Sequence, residues 1–205
     1  MKWFEVYKNK SIILELLISI VILVITLSFY TNFLNYIEAR TGVILPDPIL
    51  ALFNPIDFTW LTFGIIYISL FVAIISLIQY PKQLTFAIQV YFVMILFRIA
   101  AMYSLPLEPP ALMIALNDPL VEIAGTGKLL TKDLFFSGHT ATLFLLFLVS
   151  KRKTFKYLFL ICTVLVAICV LLQHVHYTID VLAAPFFSYA SYRIMLLFRN
   201  KFFID

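Results

Sequence analysis

The chain has 205 residues, of which 63% are hydrophobic and only 13% charged, and its mean hydropathy is +1.02. A soluble fold of this size could not hide so much apolar surface, so the composition excludes one and leaves no length for a separate soluble domain. The net charge of +4 does not point to nucleic acid, because the lysines and arginines fall in small groups between apolar runs, as topology signals do.

Met1 to Lys10 carries polar and basic residues ahead of an apolar run from Ser11 to Asn32. That run is too long for a signal-peptide core and lacks a small-residue cleavage site, so it reads as a retained first helix. Further apolar runs occupy Asp57 to Gln79, Thr85 to Leu105, Leu134 to Ser150, Phe155 to Leu172 and Ile179 to Phe198. A spanning helix needs ~20 apolar residues. The expected fold is therefore all-α: one polytopic membrane domain over residues 1–205 with six transmembrane helices. Only "QHVHYT" separates the last two runs, which requires a tight interfacial turn, because backbone groups in lipid must be bonded internally. Cys162 and Cys169 lie in one predicted helix at a spacing that suits packing and forbids a disulfide.

Basic residues fall unevenly on alternate sides of these spans. Lys2, Lys8, Lys10, Lys82, the "KRK" at 151–153, Lys156, Arg199 and Lys201 share one side. Arg40, Lys128 and Lys132 share the other, diluted by Glu38, Asp47, Glu108, Asp118, Glu122 and Asp133. The positive-inside rule then places both termini in the cytoplasm. The two long connections, Leu34 to Ile56 and Pro106 to Asp133, face the outer side, and the second holds "PLEPP" and "GTGK". Loops of that length in so economical a chain are expected to be functional. Glu108, Asp118 and Glu122 read as solvated loop charges, while Glu15 in the first span has no evident role.

The three histidines, His139, His174 and His176, all fall at the outer leaflet boundary. Asp180 follows His176 by four residues, on one helical face. Its carboxylate can accept from one imidazole nitrogen and leave the other as base or nucleophile. A buried aspartate just inside a span costs ~3 kcal/mol on insertion scales and normally has a partner. Ser137 reads as an N-cap, with the amides of Gly138, His139 and Thr140 at the positive end of the fourth span, an anion-binding geometry that glycine keeps open to close approach. Arg98, about two turns inside the third span, has two readings: its planar fork contacts phosphate oxygens, or it pairs with Asp133 or Asp180. A zinc site on His139, His174, His176 and Asp180 would need the last two histidines to converge from an extended turn, and no metal or other cofactor is expected.

The stretches "DLFFSGHT" (133–140) and "HYTIDV" (176–181) resemble the two signature motifs of sphingomyelin synthases, members of the type-2 phosphatidic acid phosphatase (PAP2) superfamily. Weaker matches, "LPD" at 45–47 and "RIAAMYSLPLEPP" from Arg98, extend the likeness over about residues 45–182. The resemblance implies a six-span protein whose His139, His176 and Asp180 are catalytic. His176 would form a phosphohistidine, Asp180 orient it, and His139 protonate the leaving alcohol and activate the acceptor. It also implies membrane lipids as substrates, a phospholipid donor and a lipid hydroxyl acceptor. Arg98, Ser137, Gly138, Thr140 and Asp133 complete the expected site as substrate-binding residues. The hydrolase branch has a Ser-Arg pair where this chain has Cys169 and Val170, and a lysine where it has Tyr91. A less cationic site suits a phosphodiester better than a phosphomonoester, which favours headgroup transfer over dephosphorylation. A lipid phosphate phosphatase, a non-catalytic lipid-binding protein and a small transporter using Arg98 and Asp180 as relay groups are the alternatives. The compact loops suggest a bacterial inner membrane with a periplasm-facing site, or in a eukaryote a Golgi lumen or cell exterior, and a homo-oligomer is compatible with all of these.

Overall fold

The computed structural model describes residues 10–117 and 130–202. The expected charges at Lys2, Lys8, Asp118, Glu122 and Lys128, and the "GTGK" stretch, lie outside them. Among the described residues there are six α-helices: α1 (Lys10–Ala39), α2 (Thr59–Ile78), α3 (Pro81–Ser104), α4 (Gly138–Val149), α5 (Lys153–Leu172) and α6 (Thr178–Phe202), with a short 3-10 turn at Leu50–Leu52. Five of these are long and apolar enough to cross a membrane, and the protein is a multi-pass membrane bundle. Lipid takes the place of water as its solvent: Leu17, Ile25, Ile68, Phe71, Leu182 and Phe186 all point outward, each at least 54% exposed. Several hydroxyls inside the spans are satisfied locally. Ser19 donates to Glu15 O at 2.7 Å, Thr26 to Ile22 O at 2.8 Å and Thr31 to Leu27 O at 3.0 Å, as side chains must where water is absent.

The fourth element departs from expectation. The apolar run Leu134 to Ser150 predicts a full span, but only Gly138–Val149, 12 residues, is helical. At 1.5 Å per residue it reaches ~18 Å, well short of the ~30 Å hydrocarbon core. Its packing explains how so short a helix can be apolar throughout. One face (Ala141, Leu145) packs with Val90 and Met94 of α3 and Ala184 of α6. The opposite face (Leu143, Leu146) joins Ile66 of α2 and Phe159, Val166 and Val170 of α5. Ala141 and Leu143 are fully buried, so α4 is apolar on every side because other helices surround it.

The loops at one end of the bundle are braced on each other. Val43 N donates to Pro106 O and Glu108 N to Val43 O, both at 3.0 Å, so the two long connections pair through one isolated parallel bridge. Gly42 sits where a Cβ would lie 2.6 Å from the Leu107 carbonyl carbon, a contact no side chain tolerates. Glu108, read from sequence as a solvated charge, is instead a strut. It accepts from Gly42 N at 2.8 Å and pairs with Lys132 Nζ at 2.9 Å. Glu38 at the end of α1 accepts from Thr131 N, Thr131 Oγ1 and Lys132 N at 2.6–3.0 Å, anchoring the strand of chain that leads into α4. At the other end Arg199 donates to Lys82 O at 3.2 Å and Lys151 sits over the Tyr80 ring at 5.7 Å, so the basic groups that share a side in the sequence also gather in space.

Candidate active site

The turn between α5 and α6, residues 173–177, sets the site's geometry. His174 N donates to Leu171 O and Val175 N to Val170 O, both at 2.9 Å, the paired bonds of a Schellman helix stop. That motif needs a left-handed residue after the C-cap, and His174 supplies it at φ 55°, at a steric cost glycine would not incur. His174 packs edge-on against Phe53 at 5.1 Å, and burial lowers its pKa below the ordinary histidine value. It is thus a turn residue, and sequence proximity to His176 does not make it a site residue. Gln173, fully buried, accepts from Phe58 N at 3.1 Å and donates to Thr59 Oγ1 at 2.7 Å, tying the turn to the start of α2.

Two carboxylates then cap α6. Asp180 Oδ2 accepts from Tyr177 N at 3.0 Å, reaching back over the first turn as the acidic half of a capping box does. Asp47, the aspartate of "LPD", accepts from Thr178 N at 2.6 Å and Thr178 Oγ1 at 3.0 Å, 131 residues away, and also from Ile49 N and Leu50 N. These bonds hold the Asp47 pKa below the ordinary carboxylate value although burial alone would raise it. No local pattern could reveal this role, because the two partners meet only through the fold.

With α6 so fixed, His176 Nδ1 faces Asp180 Oδ2 at 3.5 Å. The separation is that of an ion pair, and the angle does not complete a hydrogen bond. His176 is 1% exposed and Asp180 0%. His139, in the first turn of α4, presents its ring to His176 at 6.2 Å between centroids and 63° between planes, with Phe63 edge-on behind it at 6.1 Å. The two motifs are locked directly, since Ser137 N donates to Asp180 O at 3.1 Å. The structure therefore brings His139, His176 and Asp180 to one place, from segments separate in sequence.

Ser137 caps α4 as expected: its Oγ accepts from Thr140 N at 3.5 Å and donates to Thr140 Oγ1 at 3.1 Å. Thr140 is 1% exposed, so it belongs to the cap, and the expected anion cradle narrows to the helix start at Gly138. Gly138 has a second duty. A Cβ there would lie 1.5 Å from Arg98 Nη1, so the guanidinium rests directly on the glycine. Arg98, 3% exposed, is ion-paired through Nη2 with Asp133 Oδ1, which realises one of its two sequence readings. Tyr30 from α1 donates to the same Asp133 oxygen at 3.1 Å, and the Arg98 guanidinium lies 5.8 Å from the Tyr30 and Phe136 rings. Burial would raise the Asp133 pKa, but Arg98 and the two histidines outweigh it and leave it lowered.

A cavity of about 210 Å³ opens onto this cluster, lined by Arg98, Asp133, Gly138 and His139 together with Tyr30, Tyr67 and Tyr91. Tyr30 and Tyr67 have no signature in the sequence, and Tyr91 stood out there only as the residue in place of the hydrolase lysine. Arg98 Nε, His176 Nδ1 and Asp180 Oδ1 are buried and make no hydrogen bond among the described residues, a concentration of unsatisfied polar groups that marks a functional site more often than a core. Chemically the arrangement offers an imidazole backed by a carboxylate, a second imidazole across a short gap, and a guanidinium beside a helix start, which suits transfer at an anionic phosphorus.

Residues 132–197 match the family model described as PAP2 superfamily C-terminal. Over 66 residues the chain is 44% identical to phosphatidylcholine:ceramide cholinephosphotransferase 2 of Homo sapiens and 42% identical to the same-named protein of Macaca fascicularis. Each match covers 29% of this chain and 18% of the relative's length. The likeness to the sphingomyelin synthase branch carried by "DLFFSGHT" and "HYTIDV" is borne out over that segment.

Proposed function

We propose that the protein is an integral membrane lipid phosphotransferase that moves a phospho-alcohol headgroup from a glycerophospholipid to a lipid hydroxyl, that of a ceramide or diacylglycerol, through a phosphohistidine. The observation that carries this reading is the buried His139–His176–Asp180 cluster, whose two histidines face each other across 6.2 Å, with His139 also lining the cavity that holds Arg98. The names of the matched relatives, which pair phosphatidylcholine with ceramide, support the donor and acceptor classes.

Each group has a definite task. The Asp180 carboxylate, 3.5 Å from His176 Nδ1, favours the proton on that nitrogen and so leaves the Nε2 lone pair for the phosphorus. Nε2 attacks, the N–P bond forms, and the P–O bond to the diacylglycerol oxygen breaks as protonated His139 gives that oxygen its proton. In the second half, neutral His139 takes the proton of the acceptor hydroxyl. The new O–P bond then forms as the N–P bond breaks, and both imidazoles return to their starting states. Arg98 and the α4 start, opened by Gly138 and shaped by the Ser137–Thr140 cap, hold the non-bridging oxygens. The basic residues near Lys82, Lys151 and Arg199 support cytoplasmic termini. The site then opens to the opposite face: a periplasm in a bacterium, a lumen or exterior in a eukaryote. Residues 1–205 act as one domain.

The test is to incubate the purified protein in micelles with headgroup-labelled phosphatidylcholine, with and without ceramide or diacylglycerol, beside His176→Ala. Label appearing on the acceptor lipid only with wild type is the expected result. Free labelled phosphate or phosphoalcohol with no acceptor product would make water the acceptor and turn the protein into a phosphatase-type hydrolase. No conversion by a folded wild type would remove the enzyme reading.

A further inference from the structure

Asp133 has no place in the transfer chemistry, yet it occupies the guanidinium that the transfer needs. Arg98 is nearly inaccessible while Asp133 keeps 30% of its side chain exposed to the cavity, so the carboxylate is the member of the pair that can be displaced. Among the described residues lining the cavity, the fixed charges are these two, with His139 beside them. When His139 is protonated for catalysis, it and Arg98 balance Asp133 and Asp180, and the site is neutral.

Charge neutrality in a low-dielectric pocket constrains what can enter. A phosphodiester monoanion that takes Arg98 releases Asp133, and an uncompensated carboxylate beside lipid is costly. The cost vanishes if the same ligand brings a cation within reach of the freed carboxylate. A phosphate joined through two carbons to an amine cation does so, since its own charges reproduce the pair it replaces. Tyr30, Tyr67 and Tyr91 line the same space, and aromatic rings near a quaternary ammonium attract it.

We propose that Asp133 is the residue that selects the donor by headgroup charge: its ion pair with Arg98 is exchanged for the phosphate and amine of a zwitterionic headgroup, and anionic headgroups are rejected because they leave Asp133 unpaired. This rests on the phosphotransferase reading for the identity of the ligand, but it can be tested apart from turnover. The probes are glycerophosphocholine and glycerophosphoglycerol, which share the diester and differ in the cation. Both are titrated by calorimetry into the full chain in micelles, in a His176→Ala background so that nothing reacts, with Asp133 intact, as Asp133→Asn and as Asp133→Glu.

With Asp133 intact, the choline diester binds about tenfold more tightly than the glycerol diester, as expected for one opposite charge at close range in a partly screened site. Asp133→Glu keeps a clear preference, and Asp133→Asn brings the ratio to near one. A purely structural role for Asp133 would weaken both diesters together and leave the ratio unchanged, and that result overturns the proposal, as does failure of the choline diester to bind with Asp133 intact. If Asp133→Asn does not fold, Arg98→Gln/Asp133→Asn leaves no unpaired buried charge, and the ratio is expected to fall to near one there too. If the preference is found and lost as described while wild type converts no lipid, the phosphotransferase reading fails and the charge selection stands. If wild type transfers headgroups but the ratio ignores Asp133, only this proposal falls.

Discussion

Gly138→Ala tests how the site is assembled, because the added methyl has one place to go. Its carbon would lie 1.5 Å from Arg98 Nη1, 2.5 Å from Cζ and 3.1 Å from Nη2, so the guanidinium must leave the helix start. Arg98 is 3% exposed and Asp133 is its ion-pair partner, and breaking a buried pair from one side costs ~3–5 kcal/mol. Part of that is recovered, because the cavity gives the displaced fork somewhere to sit and alanine is ~1 kcal/mol better than glycine in a helix. A net loss of ~2 kcal/mol in stability is expected, with a fall of at least about tenfold in turnover as the phosphate loses its fork. Thermal unfolding in micelles and the lipid transfer assay read the two effects. The decisive comparison is a double-mutant cycle with Arg98→Ala. Once the guanidinium is gone, the methyl's three nearest contacts go with it, so Gly138→Ala should be neutral or slightly stabilising in that background. Equal damage with and without Arg98 would refute the contact and place the glycine's importance elsewhere.

His174→Gly removes the left-handed strain of the Schellman stop and is expected to raise stability by up to ~1 kcal/mol, less what the Phe53 contact contributes; a loss would mean the imidazole itself is required. Gln173→Ala strips the Phe58 amide and the Thr59 hydroxyl of their buried partner and should cost ~2–3 kcal/mol in the same unfolding assay. Acid sensitivity should come largely from the loop carboxylates. Asp47 and Glu108 have folded pKa values below their ordinary ones. The unfolded chain therefore takes up protons first, and the stability these groups add is full above the ordinary carboxylate range and lost as pH falls through the folded values. His174, also lowered, adds stability above its ordinary value of 6.5 that begins to fade as pH drops below it. Unfolding midpoints scanned from pH 7 to pH 3 should decline, and Asp47→Asn should start lower and decline less steeply. An unchanged slope would deny that Asp47 carries its share.

What could be read from the chain follows the range of the interactions involved. The spans at Asp57 to Gln79, Phe155 to Leu172 and Ile179 to Phe198 lie within a few residues of α2, α5 and α6, because an apolar run bounded by charge is a local signal. The first run, ended at Asn32 by its polar residues, continues in α1 to Ala39, since Asn32 and Asn35 bond back to the carbonyls of Ser28 and Thr31 and do not break the helix. The fourth run gives a shorter helix than its length suggests: its apolar character belongs to a segment enclosed by neighbours, and hydropathy cannot tell a side chain facing lipid from one facing another helix. The histidines and Asp180 were legible because an ionisable group beside oil needs a reason, and the i,i+4 spacing supplied one.

Asp47, Glu108 and Gln173 were not assignable, because each works on a backbone amide or hydroxyl that only the folded chain brings near. Arg98 lies between these cases. Its burial demanded a counter-charge, and sequence alone offered phosphate, Asp133 and Asp180 as candidates. The fold pairs it with Asp133, held from Tyr30 on one side and by the Glu38-anchored segment on the other. That choice does not exclude the phosphate. A buried cation must be paired at all times, so a ligand anion and a resident carboxylate are successive occupants of one position. The Arg98–Asp133 ion pair is then the ground state that substrate has to displace, and how readily it does so depends on what else the substrate offers to Asp133.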